Sequence, residues 1–148
     1  MRIVIQRSRQ AEIRVNNETI AAIEYGLVLL IGIESDDTKE DVDYLVRKII
    51  MMRIFSDESD KMNLSVRDIN GSILSISQFT LHAETKKGNR PSFIQAAKPE
   101  IAVPLYELFN EGLRKNDLHV EQGVFGADMQ VSLINDGPVT IMIDSKNK

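Results

Sequence analysis

At 148 residues, with a formal net charge of −4 and no cysteine, the chain is long enough for one compact domain spanning residues 1–148 and has no thiol chemistry to offer. Disulfide scaffolds, cysteine zinc sites and thiol nucleophiles are therefore excluded. The negative balance argues against coating nucleic acid by bulk electrostatics, so no DNA partner is expected and any RNA contact must be local.

The longest apolar run, Gly26 to Ile33, is too short to span a membrane. Met1 to Arg7 alternates from the start and lacks the apolar block of a signal peptide. A cytoplasmic protein with no membrane partner is expected. Residues 2–8 alternate as a strand, with Ile3 and Ile5 on one face. Arg7 continues that apolar face, so its guanidinium must either escape at the strand end, the simpler expectation, or find acceptors inside. Ala11–Val15 and Ile20–Ile23 suggest a hairpin across Asn16-Asn17, and Leu27–Ile33 reads as a strand buried on both faces.

From Thr38 the period becomes helical, with a stripe at Val42, Leu45, Val46, Ile49 and Ile50. Thr38 and Asp41 form a capping-box pattern, and the helix should run to about residue 52. The acidic run from Glu34 to Asp43 lacks the glycine and terminal glutamate of a calcium loop and fits helix-dipole complementation better. Residues 55–63 are turn-like, Ser72–Phe79 returns to a strand, and His82–Ser92 with its Lys86, Lys87 and Arg90 reads as a loop. A second helix carries Ile101, Leu105, Leu108, Phe109 and Leu113. Its regular part is expected to begin near Pro104 rather than at Pro99. Val120–Val124, Met129–Ile134 and Val139–Ile143 close the chain as strands. The class is α+β, an antiparallel or mixed sheet with two main helices.

The chemistry-bearing stretch is Ser-Ile-Ser-Gln-Phe-Thr-Leu at 75–81. In a regular strand Ser77 and Thr80 face opposite sides, so they can meet one substrate only if the strand ends or bulges near Gln78. Such a break would also release the Phe79 and Thr80 N–H groups, and two converging N–H groups are what an oxyanion hole requires. By spacing alone, however, a strand end with solvated hydroxyls explains the pattern as well. A serine-hydrolase elbow is missing, and neither His82 nor His119 is placed for a relay or a metal. No metal and no cofactor are expected. Asn-Asp-Gly-Pro-Val-Thr at 135–140 reads locally as a turn.

Together, Ser-Gln-Phe-Thr-Leu at 77–81, Arg-Pro-Ser-Phe at 90–93, Phe-Gly-Ala-Asp-Met at 125–129 and Asn-Asp-Gly-Pro-Val-Thr at 135–140 resemble the D-aminoacyl-tRNA deacylase family, as do Ile-Gln-Arg at 5–7, Arg-Ile-Phe-Ser-Asp at 53–57 and Lys-Met-Asn at 61–63. The resemblance spans essentially the whole chain. Asp60 stands where family members commonly carry a turn glycine. The resemblance implies a barrel-like domain that forms a homodimer and hydrolyses the ester of D-aminoacyl-tRNA, a proofreading step in translation. Glycine mischarged on tRNA(Ala) is an expected further substrate, because a selector that works by clash with an L side chain has nothing to clash with in glycine.

Carried over, Ser77, Gln78, Phe79 and Thr80 would line the adenosine and ester, with the Phe79 and Thr80 N–H groups as the oxyanion hole. Gly137 and Pro138, joined by a cis bond and inserted into the partner's active site, would reject L-residues. Phe125 and Met129 would shape the pocket, and Arg7 would help hold the Gly-Pro segment. Assistance from the tRNA 2′-hydroxyl is favoured over Thr80 as a nucleophile, which has no evident base. The alternative is a non-catalytic tRNA- or ribosome-binding module.

Overall fold

The computed structural model describes residues 1–148. Its backbone is organised by two long strands, β1 (Arg2–Val15) and β2 (Glu18–Gly32), joined at Asn16-Asn17. The expected short strand and hairpin are thus one continuous pair. Gln10, at φ 47°, absorbs a register shift where β1 meets the last strand. Helix α1 (Lys39–Met51) follows, then the short strands β3 (Phe55–Ser56) and β4 (Met62–Leu64), where only turns were expected. Next come β5 (Ser72–Ser77), a 3-10 turn (Phe79–His82), α2 (Pro99–Arg114), β6 (His119–Gln122) and β7 (Gln130–Asp144). No helix is long and apolar enough to cross a membrane.

The main sheet has the order β6-β5-β2-β1-β7, while β3 and β4 make a small sheet of their own. β1 pairs antiparallel with β2 and β7, whereas β5 pairs parallel with β2 and β6. The expectation of a mixed sheet with two helices holds, but barrel-like closure does not. β6 and β7 are the two edges and do not pair, so the sheet is open.

Alternation divides the apolar side chains between the two faces of the sheet. Ile3, Ile5, Leu27, Leu29, Ile31 and Ile73 pack in one core with Leu45 and Ile49 of α1 and Tyr106, Phe109 and Leu113 of α2. Val28, Leu74 and Ile76 point the other way, onto Ala11, Ile13, Ala21 and Ile23. β2 is therefore buried on both faces where it runs between β1 and β5. Gly26 makes that contact possible, since a Cβ there would lie 1.9 Å from the Ser72 carbonyl oxygen.

The capping box of α1 is present, with the Asp41 carboxylate accepting the Thr38 N–H at 2.9 Å. α2 begins at Pro99, five residues before the expected start, and carries Pro104 inside it. Pro99 occupies a first-turn position where no N–H is needed. Pro104 is exposed, so the carbonyl it leaves without a helical partner can be solvated. Arg7 also differs from the simpler expectation. It lies well inside β1 and is buried.

Candidate active site

β5 stays in register with β2 as far as Ile31 opposite Ser77, and one further bond, from the Gln78 N–H to the Ile31 carbonyl at 2.7 Å, ends the ladder. Gln78 then turns the chain with φ −142° and ψ 83°. The 3-10 turn closes through Leu81 N–H to Gln78 carbonyl (3.3 Å) and Ala83 N–H to Thr80 carbonyl (3.1 Å). The first N–H groups of such a turn have no acceptor within it. The Phe79 and Thr80 N–H groups therefore leave the sheet at the point where Ser77 and Gln78 come to the surface.

Beside this turn lies a cavity of about 290 Å3. Ile31, Ile33 and Ile76 reach it from the sheet, Ala97 and Ala102 from around the start of α2, and Ser77, Gln78 and Phe79 from the turn. Phe125 to Met129, the segment before β7, completes the wall. The structure thus brings Ser77, Gln78, Phe79, Phe125 and Met129 to one mostly apolar cavity with a polar rim. Thr80 stands just outside, exposed, its hydroxyl oxygen 2.5 Å from the Gln78 amide nitrogen. An amide is not a base. His82 is buried, with Nδ1 3.1 Å from a Glu34 carboxylate oxygen, and neither ring nitrogen makes a hydrogen bond to Thr80.

The wall is stiffened from behind by Tyr106, which the sequence reading did not single out. Its hydroxyl donates to the Ser75 carbonyl at 2.9 Å and accepts from the Ser75 hydroxyl at 3.2 Å. Burial pushes the Tyr106 hydroxyl above its ordinary pKa, and the Ser75 bond opposes this without cancelling it. The ring also packs on Phe125, with centroids 6.2 Å apart. Tyr106 sits at helical spacing from Ala102, Phe109 and Leu113, which marks it as inward-facing. Nothing local to the sequence indicates the strand it would meet.

Gly137 and Pro138 lie elsewhere. Between the pairs Gln6–Thr140 and Ser8–Asn135, two steps on β1 face five on β7, so the chain from Asp136 to Val139 is thrown out of the ladder as a protrusion. Asn135 closes its neck, donating to the Thr140 hydroxyl at 3.0 Å and accepting the Val139 N–H at 3.1 Å. Arg7 holds its base, donating to the Asp136 carbonyl at 2.9 Å and the Ile54 carbonyl at 2.8 Å. Arg9 adds an ion pair to the Asp136 carboxylate at 3.3 Å. The Gly137–Pro138 bond is cis and Gly137 has φ 130°, a conformation that favours glycine. Both residues are exposed. Ser77 lies level with Ile31 and Ile3, whereas the protrusion is level with Arg7 and Leu27. Three strand spacings and about four residues of offset place it on the order of 15 Å or more from Ser77.

The acidic cluster of Glu34, Asp36 and Asp37 is supplied with cations by the chain itself. Asp37 pairs with the Met1 ammonium, and Lys146 Nζ lies 3.3 Å from Asp36 and 3.5 Å from Asp37.

Comparison with known proteins gives this geometry a context. A family model described as D-Tyr-tRNA(Tyr) deacylase matches residues 4–144. The chain belongs to the D-Tyr-tRNA(Tyr) deacylase family. It is 57% identical to a D-aminoacyl-tRNA deacylase of Flavobacterium johnsoniae, over 100% of this chain and 99% of that protein. A solved structure of the "c-Myc DNA Unwinding Element Binding Protein" matches at 44% identity with a TM-score of 0.91, covering 97% of this chain and 98% of that one. Another, from the "Structural Analysis of a probable eukaryotic D-amino acid tRNA deacylase", shares the fold at 20% identity, with a TM-score of 0.83 and coverage of 96% and 97%. The matched region of this deacylase-family chain includes both segments 77–81 and 135–140, one at the cavity and the other projecting from the edge strand β7.

Proposed function

We propose that this protein hydrolyses the ester linking a D-amino acid to the terminal adenosine of tRNA, releasing free D-amino acid and tRNA. The observation that carries this reading is the turn at Gln78, which sets two free N–H groups, those of Phe79 and Thr80, at the mouth of an apolar cavity. N–H groups fixed in place before reaction stabilise the negative charge that develops on the ester carbonyl oxygen, and such donors typically account for about 10²–10³ in rate each. The cavity receives the terminal adenosine and ester along Ser77, Gln78 and Phe79, with Phe125 and Met129 shaping its far wall.

Attack is by water with assistance from the neighbouring ribose 2′-hydroxyl, the enzyme supplying position and oxyanion stabilisation. Thr80 is the rival nucleophile. The side-chain partner of its hydroxyl is the Gln78 amide and no histidine nitrogen bonds it, which leaves it without a base.

Chirality is read by the Gly137–Pro138 protrusion. The separation from Ser77 within one chain supports an active unit that is a homodimer with reciprocal insertion, the protrusion of each copy completing the cavity of the other. Backbone carbonyls of the inserted segment hold the α-amino group and leave no space for an L side chain, while D side chains point outward. Glycine, with no side chain to exclude, is also accepted, including glycine mischarged on tRNA(Ala). The site of action is the cytoplasm, where translation supplies the substrate.

The test compares hydrolysis of D-tyrosyl-tRNA and L-tyrosyl-tRNA. Rapid cleavage of the D-ester with negligible cleavage of the L-ester is expected. Equal rates would indicate a general esterase, and cleavage of neither would favour a non-catalytic tRNA-binding module. In the same assay glycyl-tRNA is expected to turn over, and no turnover at high enzyme would sink the exclusion mechanism.

A further inference from the structure

Between the turn and α2, the chain makes a strap whose features the ester chemistry does not use. Glu84 and Ser92 pair as an antiparallel bridge, with N–H to carbonyl distances of 2.8 and 3.0 Å in the two directions. The bridge fixes both ends of the loop that carries Lys86, Lys87 and Arg90, all exposed. Of these, Lys86 is paired, weakly, with Glu84 at 3.9 Å. Directly after the bridge, Phe93 packs edge-on against Phe79, with ring centroids 5.0 Å apart and an interplanar angle of 76°. Both rings remain substantially open, at 56% for Phe79 and 37% for Phe93, and the adjacent Ile94 is 86% exposed.

Neighbouring exposed apolar groups beside a polar rim are the kind of patch that marks an interaction site. Their position makes one occupant specific. Phe79 lines the cavity and Phe93 packs on it, so a chain leaving the cavity past Phe79 would meet Phe93 and the strap that carries the cations. Stacking faces beside a short row of cations form the arrangement that binds single-stranded nucleic acid, bases on the rings and phosphates on the cations. The local concentration of positive charge also answers how a protein of net charge −4 holds RNA.

We propose that the strap formed by residues 84–94 is the docking surface for the single-stranded 3′ end of the tRNA. The nucleotides preceding the terminal adenosine would stack on Phe93, and Lys86, Lys87 and Arg90 would contact their phosphates. This rests on the deacylase reading above and names the part of the substrate that the cavity does not hold.

The experiment compares D-aminoacyl-tRNA with D-aminoacyl-adenosine, which carries the same ester and ribose but no preceding nucleotides. The variants are Phe93→Leu, which keeps an apolar contact on Phe79, and the surface double variant Lys87→Ala/Arg90→Ala. For each, the ratio of kcat/KM on tRNA to that on the adenosine ester is expected to fall about tenfold, chiefly through KM, in line with the loss of a stacked base. For the double variant, the slope of log kcat/KM against log salt on tRNA is expected to become shallower by roughly 0.7 for each phosphate that the protein no longer neutralises. A ratio unchanged in both variants, whether because both substrates fall together or because neither falls, overturns the docking role while leaving the deacylase reading intact. A wild-type protein that cleaves neither substrate overturns the deacylase reading, and this inference with it.

Discussion

The end of β5 and the bulge of β7 are built by opposite means. At the end of β5 the backbone leaves a fully paired ladder, and the walls of the resulting cavity come from core side chains: Ile31 and Ile76 from the sheet, Ala102 from α2 and Tyr106 behind it. In the bulge Gly137 and Pro138 are pushed outward and exposed, and the segment is fixed mainly by polar groups, Arg7 at the base and Asn135 at the neck, with Val139 anchored in the main core behind them. The cavity is a recess that packing holds open, while the bulge is a projection whose exposed tip is held chiefly by hydrogen bonds at its base. Each is finished within its own chain, yet the two do not meet there, which is why a second copy enters the proposed mechanism.

This contrast is open to attack at both ends. The largest effect is expected at the recess. Phe79→Pro removes one of the free N–H groups at a first-turn position that tolerates proline, and Phe79→Ala removes the same ring but keeps the N–H. In single-turnover hydrolysis of D-tyrosyl-tRNA, the proline variant is expected to run about 10²–10³ slower than the alanine variant. Equal rates would remove that N–H from the chemistry. Thr80→Val, by contrast, is expected to keep most of the single-turnover rate, since it retains the N–H and loses only a hydroxyl that lacks a base. A trapped acyl-enzyme would reverse this assignment.

At the projection, Gly137→Ala places a methyl 2.8 Å from both Arg7 Nη2 and Val139 Cγ2, on a backbone with φ 130°. The expected result is a loss of D-over-L preference of roughly 10- to 200-fold, the range that one methyl group commands in a fitted pocket. Arg7→Met takes away two charge-assisted bonds to carbonyl oxygens and should lower stability by about 2–4 kcal/mol, seen as a fall in the urea midpoint, with activity falling alongside as the projection loosens.

The smallest effect is an acid dependence where β7 ends. Burial alone would raise the Asp144 carboxyl, but the Lys146 N–H and the Arg2 guanidinium outweigh it and hold the group below the usual carboxylate range. Asp41 is lowered in the same way, burial being outweighed by the Ser145 hydroxyl, the Thr38 N–H and Lys146. Groups lowered by folding add stability that is present above their unfolded pKa, about 3.9, and is lost as pH falls through the folded value. The urea midpoint is therefore expected to drop below about pH 4, with a smaller drop in Asp144→Asn.

Much of this was legible in the sequence where neighbours along the chain decide the outcome. The capping box at Thr38, the stripe of α1 and the doubly buried run of β2 follow from local pattern. The mixture of hydroxyls and an amide at 77–80 marks a strand end, although the 3-10 turn that frees the two N–H groups does not follow from it. What escaped depends on distant partners. Arg7 finds its acceptors at Ile54 and Asp136, 47 and 129 residues away, and no periodicity announces them. Pro104 looked like a helix boundary because its solvent-facing position cannot be read from spacing. The open edges at β6 and β7 depend on pairing, which the strand pattern does not encode.

The most direct test of a site shared between recess and projection mixes two damaged proteins. Phe79→Pro spoils the recess and Gly137→Ala the projection, so each homodimer carries two impaired sites. Co-expression with separate tags yields mixed dimers in which one site combines an intact recess with an intact projection. Sharing across the dimer predicts recovery of D-selective hydrolysis of D-tyrosyl-tRNA to about a quarter of the wild-type level, since random pairing makes half the dimers mixed with one good site in each. Activity and selectivity no higher than the average of the two parents would contradict it.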